Sequence, residues 1–325
     1  MTIICDDTFV TIPLVSVVVP SYNRKDTVVQ TLKSIIEQEC SFEYEIIIGD
    51  DCSSDGVQEL LISYQKRYPE KIKLLLFETN IGLGANWATC VKHCHGKYIT
   101  NCDNDDYWHN NQKLQLQVDF LDKNTKYGVV HTDYQTHNRA TGLLEQVIVS
   151  DKVLERPLQK SIFKGKYQFC NATMMYRKEL IDKYVPLDDY INYQFTLQDW
   201  NTWVILAKYT DFFCMPISTA TFGVETESIT RPSSYEKLIE RFEKEKVCYR
   251  YLCELFPDDL PYDENVYDRY VNSVLLNLAF KRGDVKKANV FAKQKYSLGD
   301  SSFRTCLAQY RLGVYLLLLM KWMRK

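Results

Sequence analysis

Three carboxylates crowd into Asp103-Asn104-Asp105-Asp106, where a short strand over 98–101 runs on through Cys102. Charge gathered at the end of a buried strand is costly unless a cation or hydrogen-bond donors compensate it. Hard oxygen ligands at an open site favour Mg²⁺ or Mn²⁺, with water and phosphate oxygens in the remaining positions. The bland alternative is a solvated acidic turn, since Asp and Asn are common turn residues. Two more polar clusters, Ser21-Tyr22-Asn23-Arg24 and Asp50-Asp51-Cys52-Ser53, also follow apolar β-branched runs. A glycine cradle for phosphate is missing. Gly82 and Gly84 form a G-x-G, but the third fingerprint position is Trp87, and the residue six before Lys97 is Val91.

The elements that would position these clusters read from the pattern. Residues 14–19 form a β-branched strand of the kind buried on both faces of a parallel sheet, ending at Pro20. Residues 45–49, 71–77 and 98–101 are further strands, separated by helical spacings over 28–36, 57–64 and 85–94. Strand and helix in alternation predict an α/β fold with a mostly parallel sheet flanked by helices, and ligands then sit at the carboxyl ends of the strands. Beyond residue 106 a helix over 112–121, strands at 128–132, 173–176 and 212–215, a hairpin turn at 138–142 and a helix over 198–208 are expected. Residues 145–170 lack a strong period and read as a mobile loop. After Pro232 the chain is helical throughout, with segments over 235–256, 264–281, 285–296 and 312–323.

Composition sets the class. The 325 residues are 46% hydrophobic and 25% charged, which excludes disorder and multi-span membrane classes. The net charge of −2 argues against a nucleic-acid partner. Eleven cysteines without regular spacing, and Asp6 and Asp7 where a signal peptide needs basic residues, fit a cytoplasmic location. Cys90, His93, Cys94, His95 and Cys102 lack the paired spacing of a zinc site and read as helix packing.

The segments 17–23, 46–55, 80–82, 96–99 and 103–108 stand in an order and spacing that resembles glycosyltransferase family 2, inverting GT-A enzymes that use nucleotide sugars. The likeness covers roughly residues 14–230. It implies that Pro20 and Tyr22 line the nucleotide, that Asp51, with Asp50 beside it, receives the base edge, and that Asp103 and Asn104 meet the donor. Asp105 is implied as metal ligand, with Asp103 near the ribose and the metal's waters. Gln198-Asp199-Trp200 stands where the family has Glu-Asp and an aromatic, so Asp199 is the implied catalytic base; Gln198 replaces the acidic neighbour. All five histidines precede residue 138, so none in the second half competes for that role. Trp200 and Trp108 are the rings expected to touch acceptor, because aromatic faces stack on sugars.

The expected domains are 1–230, catalytic, with 1–106 nucleotide-binding and 107–230 acceptor-facing, and 231–325, helical. The expected reaction moves a sugar from a nucleoside-diphosphate sugar, taken as UDP-linked, to a hydroxyl of a glycan or lipid-linked acceptor in cell-surface polysaccharide synthesis. The alternative is a non-catalytic nucleotide-sugar or glycan-binding module on the same fold. Residues 281–325 carry 11 Lys/Arg against 2 Asp/Glu. With the apolar run 314–320, that tail predicts contact of residues 303–325 with an anionic membrane surface at the inner face; a buried helix or homodimer seam competes.

Overall fold

The computed structural model describes residues 1–4, 12–150, 156–165, 169–224 and 234–322, with backbone only at 319, 321 and 322. Asp6, Asp7, parts of the 145–170 segment, the expected boundary near residue 230 and the last three residues lie outside that set. The chain divides into two compact units, Met1–Arg231 and Pro232–Lys325.

The first unit runs β1 (Thr2–Ile4), β2 (Val15–Ser21), α1 (Lys25–Ile36), β3 (Tyr44–Asp50), α2 (Val57–Arg67), β4 (Ile72–Leu76), α3 (Leu83–Lys92), β5 (Tyr98–Asn101), β6 (Tyr107–Trp108) and α4 (Lys113–Lys123). It continues with β7 (Tyr127–Asn138), β8 (Leu143–Val147), α5 (Leu158–Phe163), β9 (Met175–Arg177), α6 (Lys178–Tyr184), α7 (Leu187–Tyr193), α8 (Gln198–Leu206) and β10 (Asp211–Val224). The sheet order is β1-β4-β3-β2-β5-β9-β7-β10-β6, with β8 on β7. Strands β4, β3, β2, β5, β7 and β10 run one way and β1, β9, β6 and β8 the other. This is the mostly parallel, helix-flanked α/β sheet that the alternation of strand and helix predicts.

Burial explains why these runs become central strands. Val17, Val19, Ile46 and Ile48 are fully enclosed, and each such side chain stabilises the fold by about 1.5–3 kcal/mol. Strand β2 continues through Pro20 rather than stopping there. In a parallel ladder Pro20 points the same way as Val18, toward β5, where the last rung is Val18 to Asn101; its missing N–H therefore costs no bond. The Gly82/Gly84 pair serves packing. Gly82 sits at φ +88°, and a Cβ on Gly84 would lie 2.2 Å from the Phe195 carbonyl oxygen.

Lys113 is fully buried, donating to Thr100 Oγ1 at 3.0 Å and Gln117 Oε1 at 2.7 Å, 4.4 Å above the Trp108 ring. Burial holds its ammonium down to about 7. A lysine lowered below its unfolded value burdens the fold fully below pH 7, and the burden lifts as pH climbs toward 10. Lys113→Met should therefore gain most over wild type at pH 6, and the gain should shrink by pH 9. Denaturant melts at the two pH values test this; a constant difference would contradict it.

The second unit is helical: α9 (Tyr235–Leu255), α10 (Glu264–Arg282), α11 (Val285–Ser297), α12 (Phe303–Ala308) and α13 (Arg311–Trp322). Leu276, Phe280, Phe291, Ala308 and Val314 share its core. Ser234, Asp263 and Asp284 cap α9, α10 and α11 through their side chains. No helix among the described residues is long and apolar enough to cross a membrane.

Candidate active site

The polar segments gather where β2, β3 and β5 end. The loops after β2 and β3 are stitched together: Asn23 N donates to Ser53 Oγ at 2.9 Å, and Ser54 N to Asn23 Oδ1 at 2.8 Å. Asn23 itself sits at φ +48°, a left-handed conformation that Asn tolerates. Beside it Tyr22 is 47% exposed, so its ring is open for stacking.

Asp50 and Asp51 have different tasks. The Asp50 carboxylate accepts from Ser53 N, Ser53 Oγ and Gln58 Nε2 at 2.6–3.0 Å, so its oxygens hold the loop that follows. Asp51 accepts from Ile81 N at 2.6 Å and Gly82 N at 3.0 Å, tying the segment before α3 to the end of β3. Burial raises its carboxyl, and the two backbone donors oppose that.

The acidic segment divides the same way. Asn104 donates to Ser21 Oγ at 3.0 Å while its carbonyl accepts from Thr27 Oγ1 at 2.7 Å, clamping the loop onto β2 and α1. Asp106 accepts from Gly223 N at 2.8 Å, which anchors β10. Asp103 and Asp105 remain partly exposed. Asp105 pairs with Arg24 at 3.3 Å. Asp103 has its carboxyl raised to about 7 by desolvation and by the nearby charges of Asp105 and Asp199. An amide from Asn171, 3.4 Å from each Asp103 oxygen, opposes that rise.

Asp199 lies in the first turn of α8 and accepts from Trp200 N at 2.7 Å. Desolvation raises its carboxyl, the direction that improves a carboxylate as a proton acceptor near neutral pH. The fold thus brings Asp199 within electrostatic reach of Asp103 across 96 residues of sequence.

The two expected acceptor rings part company. Trp108 is 3% exposed, donates to the Ala172 carbonyl at 2.9 Å and carries Lys113 over its face. A covered ring offers no stacking face to a sugar. Trp200 stacks on Phe163 with centroids 5.5 Å apart and donates to the Ile162 carbonyl at 3.1 Å, which ties α8 to α5. The 145–170 segment, expected to be a mobile loop, accordingly contains a helix held by Trp200.

Among the described residues no three His, Cys, Asp or Glu side chains converge as a ligand set. Two carboxylates from Asp103 and Asp105 fit an ion that keeps water and phosphate for its other positions, not one held in an all-protein cage. Asn171 is the site neighbour that no sequence motif marks. Arg24 stands in the polar cluster after β2, whereas Asn171 lies in a stretch without period.

A family model described as "Glycosyl transferase family 2" matches residues 16–185. The chain belongs to that family. "Uncharacterized protein Rv1520" of Mycobacterium tuberculosis is 36% identical over 108 residues, 33% of this chain and 31% of that protein. WfgD of Escherichia coli, named as a UDP-Glc:α-D-GlcNAc-diphosphoundecaprenol β-1,3-glucosyltransferase, is 28% identical over 148 residues, 46% of this chain and 56% of WfgD. The chain thus spans about a third to just over half the length of these curated relatives. The crystal structure of S. aureus TarS 1-349 in complex with UDP-GlcNAc superposes with a TM-score of 0.56 at 19% identity, covering 92% of this chain and 87% of that one. That likeness shows a shared fold of the GT-A type.

Proposed function

We propose that this chain is an inverting, metal-dependent glycosyltransferase of the hexosyl or N-acetylhexosaminyl type. It would move a sugar from a UDP-linked donor to a hydroxyl of a lipid-linked or glycan acceptor in cell-surface polysaccharide synthesis, such as lipopolysaccharide or capsule. The observation that carries this reading is that Asp103 feels the charges of both Asp105 and Asp199, which sets two partly exposed carboxylates suited to a cation near a third in the first turn of α8. The family and the reaction for which WfgD is named support the substrate class.

Mechanistically, Tyr22 and the joined loops after β2 and β3 receive the nucleotide, and Asp103 and Asp105 would hold Mg²⁺ or Mn²⁺. When bound, that ion supplies positive charge against the departing diphosphate. Asp199 takes the acceptor hydroxyl's proton as its oxygen attacks the anomeric carbon, since an alcohol is too weak an acid to ionise unaided. A single displacement with one base inverts the anomeric centre. Screening nucleotide sugars by thermal shift, with Mn²⁺ and with EDTA, tests the donor class. A UDP-sugar should stabilise the protein only with Mn²⁺; no shift with any nucleotide sugar would contradict it. Donor binding without turnover on any acceptor would favour the non-catalytic alternative.

The tail reading acquires a face. Around α13, Gly313 and Val314 point inward, while Leu312 (73% exposed), Tyr315, Leu316 and Met320 form an outward apolar arc, with Phe303 and Tyr310 also exposed. Eleven basic residues against two acidic ones over 281–325 match an anionic bilayer at the inner face of the membrane. Deleting 303–325 would also remove Ala308 and Val314 from the core, so substitution is the cleaner test. Leu312→Glu with Leu316→Glu should abolish pelleting with phosphatidylglycerol vesicles and leave the melting temperature near wild type. Unchanged pelleting, or a homodimer that those substitutions dissolve without any vesicle binding, would overturn the membrane reading.

A further inference from the structure

A chain of buried hydrogen bonds ends on Asp103. Trp87 Nε1 on α3 donates to Asn101 Oδ1 at 2.9 Å, at the end of β5. Asn101 Nδ2 donates to Asn171 Oδ1 at 3.0 Å. Asn171 Nδ2 faces both Asp103 oxygens at 3.4 Å. Trp87, Asn101 and Asn171 are all buried.

The direction of this chain is set at its far end. An indole N–H can only donate, so the Asn101 atom that meets it must be the carbonyl oxygen. That turns the Asn101 amide nitrogen toward Asn171, whose oxygen must then accept. The Asn171 nitrogen is left pointing at Asp103. Reversing any one amide would set two acceptors or two donors face to face in a buried place, at the cost of an unsatisfied pair. A neutral donor astride the carboxylate fixes its orientation without neutralising its charge.

We propose that Trp87, Asn101 and Asn171 are positioning residues, a one-way amide relay that orients the Asp103 carboxylate toward the donor and its cation. The relay rests on the donor-site reading above. It also gives Trp87, two elements away from the reacting atoms, a role beyond its packing on Tyr190 at 5.4 Å. Outer partners of this kind typically change affinity or activity ten- to a hundredfold.

Two substitutions separate orientation from structure. Asn101→Asp keeps the shape and still accepts from Trp87, but once ionised, as at pH 8, it has no donor for Asn171. The Asn171 amide must then turn round and present its oxygen to Asp103. Trp87→Phe keeps an aromatic in the core and deletes the donor that sets the direction.

The measurement is calorimetric titration of Mn²⁺ with UDP into the full chain, beside circular dichroism and melting temperature. Wild type should bind. Asn101→Asp should weaken binding about ten- to a hundredfold and Trp87→Phe by a smaller factor, while Asn101→Gln, which keeps donor and acceptor, recovers part of the loss. If Asn101→Asp fails to fold, Trp87→Phe and Asn101→Gln decide. Folded variants that bind within twofold of wild type, whatever their melting temperatures, would overturn the relay and leave the site reading intact. No binding by wild type overturns both.

Discussion

Asp199→Asn should lower sugar transfer by about 10²–10⁴-fold, the usual contribution of a positioned general base, while leaving Mn²⁺·UDP affinity within about twofold of wild type. The substitution is nearly isosteric. An asparagine oxygen can still accept from Trp200 N, as Asp199 Oδ1 does at 2.7 Å, so the first turn of α8 and the Trp200 contact with α5 should persist. What disappears is the capacity to hold a proton. Loss of turnover with binding retained places Asp199 in the chemistry. Loss of both would make it part of the donor site, and near-normal turnover would remove it from the mechanism.

The second large effect is expected at Asp103, and it has opposite signs in stability and binding. Desolvation and the neighbouring charges of Asp105 and Asp199 hold its carboxyl up at about 7. The native state therefore keeps a proton that the unfolded chain, titrating near 4, has already released. Between about pH 4 and 7 this group therefore lowers stability progressively as pH rises, and above 7 its full charge burdens the fold. Asp103→Asn should accordingly melt higher than wild type at pH 8, by about 2–4 °C for each kcal/mol relieved in a unit of this size, and by little at pH 4.5. The same variant should lose at least tenfold in Mn²⁺·UDP affinity. Melts at the two pH values and one titration test the pair of signs. A variant that is less stable at pH 8, or that binds as wild type does, would contradict the account.

The sequence makes the parallel half of the sheet legible because burial on both faces writes continuous apolar runs. Residues 14–19 and 45–49 read as strands on that ground. The strand ends are legible for the same reason: a run that stops at Asp50-Asp51 or Asp103 marks the edge of the core. What lies beyond residue 106 is harder. Strand β10 covers Asp211–Val224, but only 212–215 carry a clear pattern, because Pro216 falls among register shifts around Met215 and Ser218 that break the alternation. Helices α6 and α7 are seven residues each, too short to show a period.

Polar partners are less legible still. Asn171 sits 68 residues from Asp103 and 70 from Asn101, and nothing local distinguishes it from any loop asparagine. Trp108 illustrates the converse error. Its type and its place beside the acidic segment suggest sugar stacking, yet its indole reaches the Ala172 carbonyl and packs inward. The amino-acid type supplied the chemistry in both cases; only the long-range pairing assigns it. Asp50 and Asn104 make the same point within a motif, since their polar groups, like the Asp51 carboxylate, hold neighbouring segments while Asp103 and Asp105 beside them stay partly exposed.

On the proposed mechanism, one corner of the sheet separates donor binding from proton transfer, with Asp105 and Asp103 serving the first and Asp199 the second. Parallel titrations of Mn²⁺ with a UDP-sugar into wild type, Asp105→Asn and Asp199→Asn test it most directly. Wild type and Asp199→Asn should bind equally, and Asp105→Asn should lose at least tenfold. Equal binding by all three proteins, or none by wild type, would contradict it.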